Sequence, residues 1–283
     1  MPELPEVETV ARELAAALTS AAIESVECAR TDYVRGTDRA REIVGRTVAR
    51  VDRHGKRILL RLRPDGDIVI HLGMSGRAVL SSRHAPREPH THFVVTFAGR
   101  PVELRLCDPR RFGGVWLALA DDPRPARLGP DALAMPLSVF REVVARGRML
   151  KALLLDQSLI AGLGNIYVDE ALHRARLHPT RVADSLGRDE VRTLHRAIQR
   201  VLGAALRFGG STLRDYRRAD GMAGAFQRLH RVYGRAGEPC LRCGGTIERR
   251  LVAGRGTHTC PRCQRPPRRT RSRRSSIAGA RGR

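Results

Sequence analysis

The sequence predicts an α+β chain of several domains: a helix and a β-sandwich, then a helical domain, then a small β-ribbon. Three observations support this order. Short runs of alternating polar and apolar residues fill much of the first 125 residues, helical periodicity replaces them, and two Cys-x-x-Cys pairs lie near the end. The chain has 283 residues, 42% of them hydrophobic, so it is long enough for two cores and a small module. We therefore assign domains to residues 1–125, 126–228 and 229–265, followed by a basic tail at 266–283 that we expect to be disordered when free.

The first domain should begin with a helix. Pro5 suits an early helical position, and Glu6 and Glu8 fall in the first turn, where carboxylates complement the helix dipole. Apolar residues then recur at helical spacing, namely Val7, Val10, Ala11, Leu14 and Leu18. Strands are predicted at Val48–Val51, Arg57–Leu62, Asp67–Leu72, Arg77–Leu80, His92–Phe97, Val102–Leu106 and Gly114–Leu119. Many short strands separated by turn residues favour a β-sandwich.

The second domain should be helical and should follow a linker at residues 121–125. Its clearest helix is Arg188–Arg207, which carries one apolar stripe and which Asp184 or Ser185 could cap. Another helix should start near Asn165, after a Gly-Leu-Gly segment. Glycines there allow close backbone approach, and the helix start offers N–H groups to a phosphate. On residue type alone, a plain turn between two helices is the simpler interpretation of this segment.

The last module carries the strongest motif of the chain. Its four cysteines are Cys240, Cys243, Cys260 and Cys263, with sixteen residues between the two pairs. Four thiolates at this spacing fit one tetrahedral Zn²⁺, with an iron–sulfur centre as the remote alternative. Four sulfur ligands leave no open position, so the metal would be structural. Short apolar runs around Ile247 and Leu251 predict a β-ribbon, and the isolated Cys28 and Cys107 are expected to be buried thiols.

The charge of the chain indicates a polyanionic partner. The formal net charge is +23, which favours nucleic acid first and an anionic membrane surface second. No run approaches about 18 consecutive apolar residues, and the start lacks the pattern of a secretory signal. We therefore expect a cytoplasmic, nucleoid-associated monomer without a membrane partner.

The N-terminus offers a candidate nucleophile. Removal of Met1 would leave Pro2 as a secondary amine, and an α-amine titrates near about 7.7–8.0, far below a lysine. The start of a helix would lower that pKa further. An amine that attacks a carbon bearing a leaving group can form a covalent iminium, and Glu3 could donate or shuttle protons. An ordinary processed terminus in front of a surface helix is the alternative.

The opening string Met-Pro-Glu-Leu-Pro-Glu-Val-Glu-Thr resembles that of the bacterial formamidopyrimidine-DNA glycosylases, the branch that excises oxidised purines. The similarity continues through Gly-Leu-Gly-Asn-Ile-Tyr at 162–167 to Cys263, so it covers nearly the whole chain. It implies a β-sandwich with an N-terminal helix, a helix–two-turn–helix domain and a zinc β-ribbon. It also implies a bifunctional glycosylase and AP lyase that acts on double-stranded DNA with oxidised bases or abasic sites.

The resemblance also implies roles for individual residues. Pro2 would be the nucleophile that forms the Schiff base, Glu3 the proton donor, and Glu6 a group that orients the site. Lys56 and Arg255 would grip phosphates and assist the chemistry. Met74, Arg110 and Phe112 would fill the space left by the flipped nucleotide, with Arg110 facing the estranged cytosine. Further DNA contacts are expected from His71, His90, Arg146, Arg148, Lys151 and Asn165. On residue type alone, Lys56 would be a solvated turn lysine, Met74 a core methionine and each histidine structural.

The chain departs from the family pattern in three places. The basic cluster at 146–151 matches only loosely. The glycine-rich segment 209–226, which the resemblance identifies as a lid over the flipped base, has Ala223 where the family often has proline. The Arg-rich tail extends past the point near Cys263 where the family normally stops. It should either raise non-specific DNA affinity or be an incidental extension.

Two other functions remain open at this stage. One is the sister branch that excises oxidised pyrimidines, whose members tend to have glycine where this chain has Leu4 and lack the full void-filling set. The other is a non-catalytic zinc-ribbon DNA-binding protein, against which the intact Pro2, Glu3 and Lys56 argue.

Overall fold

The structure is a computed structural model that describes residues 2–119 and 127–266. The predicted linker at 121–125 and the predicted tail beyond Pro266 lie outside the described residues. Elsewhere the elements follow the predicted order of helix, strands, helices and β-ribbon, so the α+β assignment is confirmed. No helix in the described portion of the chain is long and apolar enough to cross a membrane.

The first helix, α1, spans Leu4–Leu18 and carries Pro5 in its first turn, as predicted. Its N-cap is Glu3, whose backbone N–H donates to the Glu6 carboxylate at 2.8 Å. The predicted apolar face is buried along its whole length. Because this face packs on the sandwich, the acidic start of α1 is held in a fixed place.

The sandwich consists of two sheets. Its strands are β1 Ile23–Cys28, β2 Val34–Arg35, β3 Thr47–His54, β4 Arg57–Arg63, β5 Asp67–His71, β6 Arg77–Ser82, β7 Thr91–Phe97, β8 Val102–Cys107 and β9 Gly114–Ala118. One sheet has the order β2-β9-β5-β4-β3 and the other β1-β7-β8-β6. Apolar residues of α1 and of both sheets share one core. All seven predicted strands are present, with ends shifted by a few residues.

Four short elements of this domain were not predicted. They are β1, β2, a 3₁₀ turn at Thr37–Arg39 and the short helix α2 at Ala40–Ile43. β1 is an edge strand whose one neighbour in the described sheets is β7, and most of its residues are at least partly exposed. Such a strand needs no regular apolar alternation, and β2 has only two residues, so neither gives a clear sequence pattern.

The strand register brings several chain segments to one edge of the sandwich. Arg57 pairs with His71 across β4 and β5, and His71 pairs with Gly114 across β5 and β9. The segment before β4, the loop after β5 and the loop before β9 therefore lie side by side. This edge holds Lys56 and the two loops expected to enter DNA.

The helical domain follows the gap in the described residues. Its helices are α3 Leu137–Val144, α4 Leu150–Leu155, α5 Asn165–Ala175 and α6 Arg188–Arg207, with 3₁₀ turns at Ala183–Ser185 and Phe226–Leu229. The bounds of α6 and the start of α5 agree with the prediction. The predicted cap of α6 was wrong: the N-cap is Gly187, and its N–H donates to Glu190 at 2.9 Å. A glutamate three residues into the helix satisfies the terminal donor, so no Asp or Ser cap is needed.

Arg53 joins the two domains. Its guanidinium is 6% exposed and donates to Glu8 of α1 at 2.6 Å and to Asp131 of the helical domain at 2.9 Å. Asp131 also accepts the N–H of Gly55 at 2.8 Å. Leu4 of α1 lies in the core of the helical domain. One buried arginine and one leucine thus connect the two domains.

The C-terminal ribbon consists of β10 Glu248–Val252 and β11 Arg255–Thr259. The turn between them is short, because only Ala253 and Gly254 lie outside the strands and both have positive φ. Arg255 is therefore the first residue of β11 and pairs with Val252.

Candidate active site

Glu3 sits at the junction of the two domains. It is 2% exposed, and its carboxylate accepts the backbone N–H groups of Ile166 at 3.0 Å and Tyr167 at 3.4 Å. These donors belong to the first turn of α5, whose positive end attracts a carboxylate. Pro2, directly before Glu3, is also buried. The candidate nucleophile and the candidate proton donor are therefore both placed at the start of α5.

The glycines before α5 permit this contact. A Cβ at Gly164 would lie 2.2 Å from the Glu3 carboxyl carbon, and a Cβ at Gly162 would lie 2.5 Å from a Leu4 methyl carbon. These glycines therefore allow the start of α1 to lie close against the segment before α5. The expectation that free N–H groups here hold a phosphate needs correction, because two of them bind Glu3.

Burial controls the protonation of Glu3. Removal from water raises its pKa from 4.5 to about 7, and the neighbouring ammonium of Lys56 opposes that shift only partly. A carboxyl with this pKa has comparable populations of acid and base near neutral pH. That balance suits a group that must give and take a proton.

Lys56 faces the same carboxylates from the sandwich edge. It is 9% exposed, and burial lowers the pKa of its ammonium, although Glu3 and Glu6 favour the charged form. The nearby guanidinium of Arg255 lowers this pKa further. Glu3, Glu6, Lys56 and Arg255 are therefore close enough to act on one another.

Glu6 is held in a buried hydrogen-bond network. The hydroxyl of Tyr167 and the backbone N–H of Ser211, the latter at 2.7 Å, both donate to its carboxylate. Burial raises its pKa, and these donors oppose the shift. The hydroxyl of Ser211 lies 3.0 Å from His230 Nε2. Glu6 thereby ties α1 to α5 and to the start of the glycine-rich segment 209–226.

Asp108 organises the two loops expected to enter DNA. It is fully buried and accepts the Ser75 hydroxyl at 2.6 Å, the Arg110 N–H at 3.3 Å and the Gly113 N–H at 2.8 Å. A Cβ on Gly73, whose φ is +60°, would lie 2.3 Å from the Gly113 nitrogen. The two loops are therefore in direct contact.

The three void-filling candidates lie together on these loops. Met74 is 40% exposed and Phe112 is 56% exposed, which excludes a core role for either side chain. The guanidinium of Arg110 lies 4.6 Å from the centre of the Phe112 ring. An exposed apolar wedge next to a guanidinium is the pair needed to separate adjacent base steps and to bond to an unpaired base.

The two candidate histidines differ in environment. Burial and the charges of Arg57 and Lys56 lower the pKa of His71 to about 4, so it is neutral at pH 7. Its Nδ1 accepts the Gly73 N–H at 3.3 Å, which leaves Nε2–H as a donor. His90 is exposed with φ of 64°, and its carbonyl accepts the Asp108 N–H at 3.0 Å. Both therefore adjoin the void-filling loops.

The predicted basic cluster before α4 divides into two groups. Arg146 and Arg148 are exposed, and Arg148 pairs with Asp156 at 2.7 Å. Lys151 is instead fully buried, with its ammonium 2.6 Å from Asp169 and 2.7 Å from the Thr257 hydroxyl. The expected phosphate contact by Lys151 is corrected accordingly: its charge is already paired and is inaccessible to DNA.

Asn165 and Arg255 connect α5 with the ribbon. The Asn165 amide donates to the Gly256 carbonyl at 2.7 Å, and its side-chain oxygen is buried without a partner in the described residues. Arg255 is exposed, and its charge acts on both Lys56 and Lys151. The ribbon therefore places the exposed guanidinium of Arg255 near Lys56, which in turn faces Glu3 and Glu6.

The four cysteines of the ribbon module converge. All four sulfur atoms lie within 4.8 Å of one another; Cys240 and Cys263 are 3.9 Å apart, and Cys243 and Cys260 are 3.4 Å apart. Tetrahedral Zn–S bonds of about 2.3 Å require sulfur separations of about 3.8 Å. The residues therefore fit one structural Zn²⁺. His173 of α5 lies 3.4 Å from the Cys240 sulfur through its Nε2, which links the module to the helical domain.

Three family models match the chain. The formamidopyrimidine-DNA glycosylase N-terminal domain covers residues 1–115, the H2TH domain of the same enzymes covers 128–217, and a zinc finger found in FPG and IleRS covers 237–266. The chain belongs to the formamidopyrimidine-DNA glycosylase family. The order of the three matches follows the sandwich, the helical domain and the ribbon.

Individual family members match over nearly their full length. The formamidopyrimidine-DNA glycosylase of Geobacillus kaustophilus is 45% identical over 94% of this chain and 100% of its own. That of Thermus thermophilus is 46% identical over 93% of this chain and 98% of its own, and the crystal structure of its MutM (Fpg) protein has a TM-score of 0.83. Lactococcus lactis Fpg has been solved with DNA containing an abasic site, at 37% identity, a TM-score of 0.85 and coverage of 93% of this chain and 100% of that one. A complex of that protein with N7-benzyl-Fapy-dG DNA is 38% identical with the same TM-score and covers 94% and 100% of the two chains.

Several residues of this family member that shape the site were not predicted. Asp108 was visible only as the first residue of an Asp-Pro turn, which signals a loop but not its buried carboxylate. Tyr167 belongs to a motif that carries the resemblance, but nothing in the motif indicates its contact with Glu6. Arg53 and Asp131 lie far apart in sequence, and no local pattern marks a buried ion pair that joins two domains.

Proposed function

We propose that this chain is a bifunctional DNA glycosylase and AP lyase that excises oxidised purines, such as 8-oxoguanine and formamidopyrimidines. The observation that carries the proposal is the position of Glu3. A buried carboxyl with a pKa of about 7 lies directly after the candidate nucleophile Pro2 and beside Lys56. The named family members and the lesions in the DNA-bound relatives support the purine branch.

The chemistry begins after the damaged nucleotide leaves the base stack. The Pro2 nitrogen uses its lone pair to form a bond to C1′, the bond from C1′ to the base breaks, and the base leaves with that electron pair. The proton on the attacking nitrogen passes to the departing base, Glu3 protonates the sugar ring oxygen, and the C1′–O4′ bond breaks. The nitrogen lone pair then forms the iminium with C1′, and the ring oxygen becomes the O4′ hydroxyl. Glu3 then shuttles protons while β-elimination and δ-elimination release the two phosphate groups.

Other residues position the DNA strand. Lys56 and Arg255 face the carboxylates and would contact the phosphates beside the lesion, with Asn165 binding the backbone from the start of α5. His71, as a neutral donor, and His90 would contact DNA at the edge of the sandwich. Arg146 and Arg148 add positive charge before α4. Lys151 does not belong to this set because it is buried.

The exposed loops would replace the flipped nucleotide. Phe112 would wedge between base steps, Arg110 would bond to the estranged cytosine, and Met74 would fill the remaining space. Their shared support on Asp108 keeps all three at one edge. We further infer that the protein acts as a monomer on duplex DNA in the bacterial cytoplasm.

Borohydride trapping tests the proposal. Reduction of the iminium on an abasic duplex should give a covalent protein–DNA adduct with the wild type and a sharply reduced yield with Pro2→Gly. Mass spectrometry of the active protein should show that Met1 is absent. A wild type that gives no adduct would contradict the enzyme assignment and favour a non-catalytic DNA-binding protein.

A comparison of lesions separates the two catalytic branches. The wild type should excise 8-oxoguanine opposite cytosine faster than thymine glycol from otherwise identical duplexes. The reverse order would assign the chain to the pyrimidine branch and leave the Schiff-base chemistry intact.

A further inference from the structure

Five arginines surround a surface cavity at the C-terminal end of α5. The cavity has a volume of about 540 Å³ and is lined by Arg176, Arg181, Arg242, Arg262 and Arg265 together with Cys243 and Cys263. We call these five residues the arginine cluster. α5 has 11 residues, and a rise of about 1.5 Å per residue places this end about 16 Å from the turn that binds Glu3. The arginine cluster and the catalytic carboxylate therefore lie at opposite ends of one helix.

Two of the five arginines have partners within the protein. Arg181 forms an ion pair with Glu190. Arg242 donates to the carbonyl of His173 at 3.0 Å, which adds a second donor to one of the last carbonyls of α5. These two side chains have structural roles that explain their position.

The other three arginines have no such explanation. Arg176, Arg262 and Arg265 are exposed, and none forms a hydrogen bond or ion pair through its guanidinium with another residue in 2–119 or 127–266. Three unpaired guanidiniums around one concavity repel one another. Their like charges give this concavity a positive potential that attracts anions.

The zinc site does not supply enough negative charge to balance the cluster. Four thiolates and one Zn²⁺ carry a net charge of about −2, and Glu190 adds one more negative charge. Two of the five positive charges therefore remain uncompensated. An adjoining cavity is lined by Arg174 and Arg231 as well as Arg242, so the positive surface extends further.

The chain continues from this surface into its most basic segment. Residues 267–283 follow directly after Arg265 and Pro266 and contain seven arginines and no acidic residue.

The lining of the cavity contains arginines and zinc-binding cysteines, whereas a protein interface usually has an apolar centre. Guanidinium groups match phosphate oxygens in shape and charge, so a phosphate backbone fits this surface best.

We propose that the arginine cluster is a second binding site for the phosphate backbone of duplex DNA, so that one molecule can hold two DNA segments. The choice of DNA as ligand rests on the proposed function. The second site would keep the enzyme near DNA while the candidate active site releases one segment and engages another.

A preloaded complex tests the second site without interference from the candidate active site. The full-length protein is first saturated with a short duplex that carries a stable tetrahydrofuran abasic analogue. A fluorescent undamaged duplex is then titrated, and its anisotropy is followed at several salt concentrations. The wild type should bind the second duplex, and the triple variant Arg176→Gln, Arg262→Gln, Arg265→Gln should lower the slope of log K against log salt by about 3.

Matched variants control for total charge and for folding. Arg41, Arg63 and Arg100 are exposed arginines of the sandwich; Arg63 ends β4 and Arg100 lies in the β7–β8 turn, both opposite the Lys56 edge. Their triple Gln variant should leave the slope of second-duplex binding almost unchanged. The corresponding Arg→Lys triple in the arginine cluster should keep that slope, and the zinc content of all variants should equal that of the wild type.

Three results would overturn the proposal. The first is that no second duplex binds. The second is that the triple Gln variants of the arginine cluster and of the sandwich lose equal slope of log K against log salt. The third is that a polyglutamate peptide binds in place of the duplex, which would indicate an acidic protein partner. Excision by the cluster variant should match the wild type. A failure of excision by the wild type would count against the proposed function and leave the second-site measurement interpretable.

Discussion

The Glu3 carboxylate accepts the backbone N–H of Ile166 at 3.0 Å, so the start of α1 and the start of α5 meet at one side chain. Residues 163 positions apart in the chain thereby build one site. The contact fixes the candidate proton donor and also joins the sandwich to the helical domain. A substitution at Glu3 should therefore affect both chemistry and stability.

Glu3→Gln should remove the proton donor while leaving DNA binding nearly intact. The loss of general acid–base chemistry should lower the single-turnover excision rate by about 10²–10⁴-fold. Binding of a tetrahydrofuran duplex provides the control. An excision rate within a few-fold of the wild type would show that another group supplies the proton.

The same substitution should change the pH dependence of stability. Folding raises the pKa of Glu3, so the folded protein binds more protons than the unfolded chain between pH 4.5 and about 7. The contribution of Glu3 is fully present below pH 4.5 and is lost as the pH rises through about 7. Urea unfolding at several pH values should show this decline in the wild type relative to Glu3→Gln. Parallel pH curves for the two proteins would contradict the raised pKa.

Lys56→Gln should shift the activity profile toward higher pH. The ammonium of Lys56 lowers the pKa of Glu3, so its removal should raise that pKa above the wild-type value of about 7. Excision that requires protonated Glu3 is lost as the pH rises through this pKa, and the loss should therefore occur at higher pH in the variant. Lys56→Arg keeps the charge and serves as the control. If the alkaline limb of the pH–activity profile did not shift, Lys56 would have no electrostatic effect on the pKa of Glu3.

Phe112→Ala should slow excision from duplex DNA without changing the free energy of unfolding by more than about 0.5 kcal/mol. The side chain is 56% exposed, so little packing is lost, whereas its proposed wedge between base steps would be absent. Leu241→Ala is the matched control, because Leu241 is 59% exposed and lies in the ribbon module. Equal excision by both variants would exclude Phe112 as the wedge.

Lys151→Met should be a stability variant. Removing one partner of a buried ion pair typically costs about 3–5 kcal/mol, and here Asp169 would be left charged and buried. The double variant Lys151→Met, Asp169→Leu should recover some of that loss in urea unfolding. The single variant could instead unfold like the wild type and lower the slope of log K for DNA binding against log salt by about 1. That result would show that Lys151 contacts a phosphate.

Zinc removal should separate the role of the ribbon from that of the sandwich. A chelator should unfold the four-cysteine module and displace Arg255, because the sulfur cluster holds the ribbon together. Trapping of the Schiff base should fall mainly through weaker DNA binding. Circular dichroism and adduct yield at saturating DNA would check this, and an unchanged affinity after complete zinc loss would contradict it.

The elements with strong local periodicity were predictable from sequence. The long helix Arg188–Arg207 and the strand Arg57–Arg63 have apolar residues at regular spacing, because one face of each is buried. The edge strand at Ile23–Cys28 was missed because one neighbour and a largely exposed surface impose little pattern. The cap of the long helix was misplaced because a glutamate inside the helix replaced the expected capping side chain.

The sequence by itself determined the domain order, the zinc ligands and the identity of the catalytic candidates, since motifs and spacing within short segments encode all of these. The tertiary structure alone decided which charges are free and which are paired. Lys151 and Arg255 are neighbouring cations, yet one is buried against Asp169 and the other is exposed. Burial and partner choice depend on residues distant in the chain, and the pKa of Glu3 and the availability of each cation to DNA follow from them.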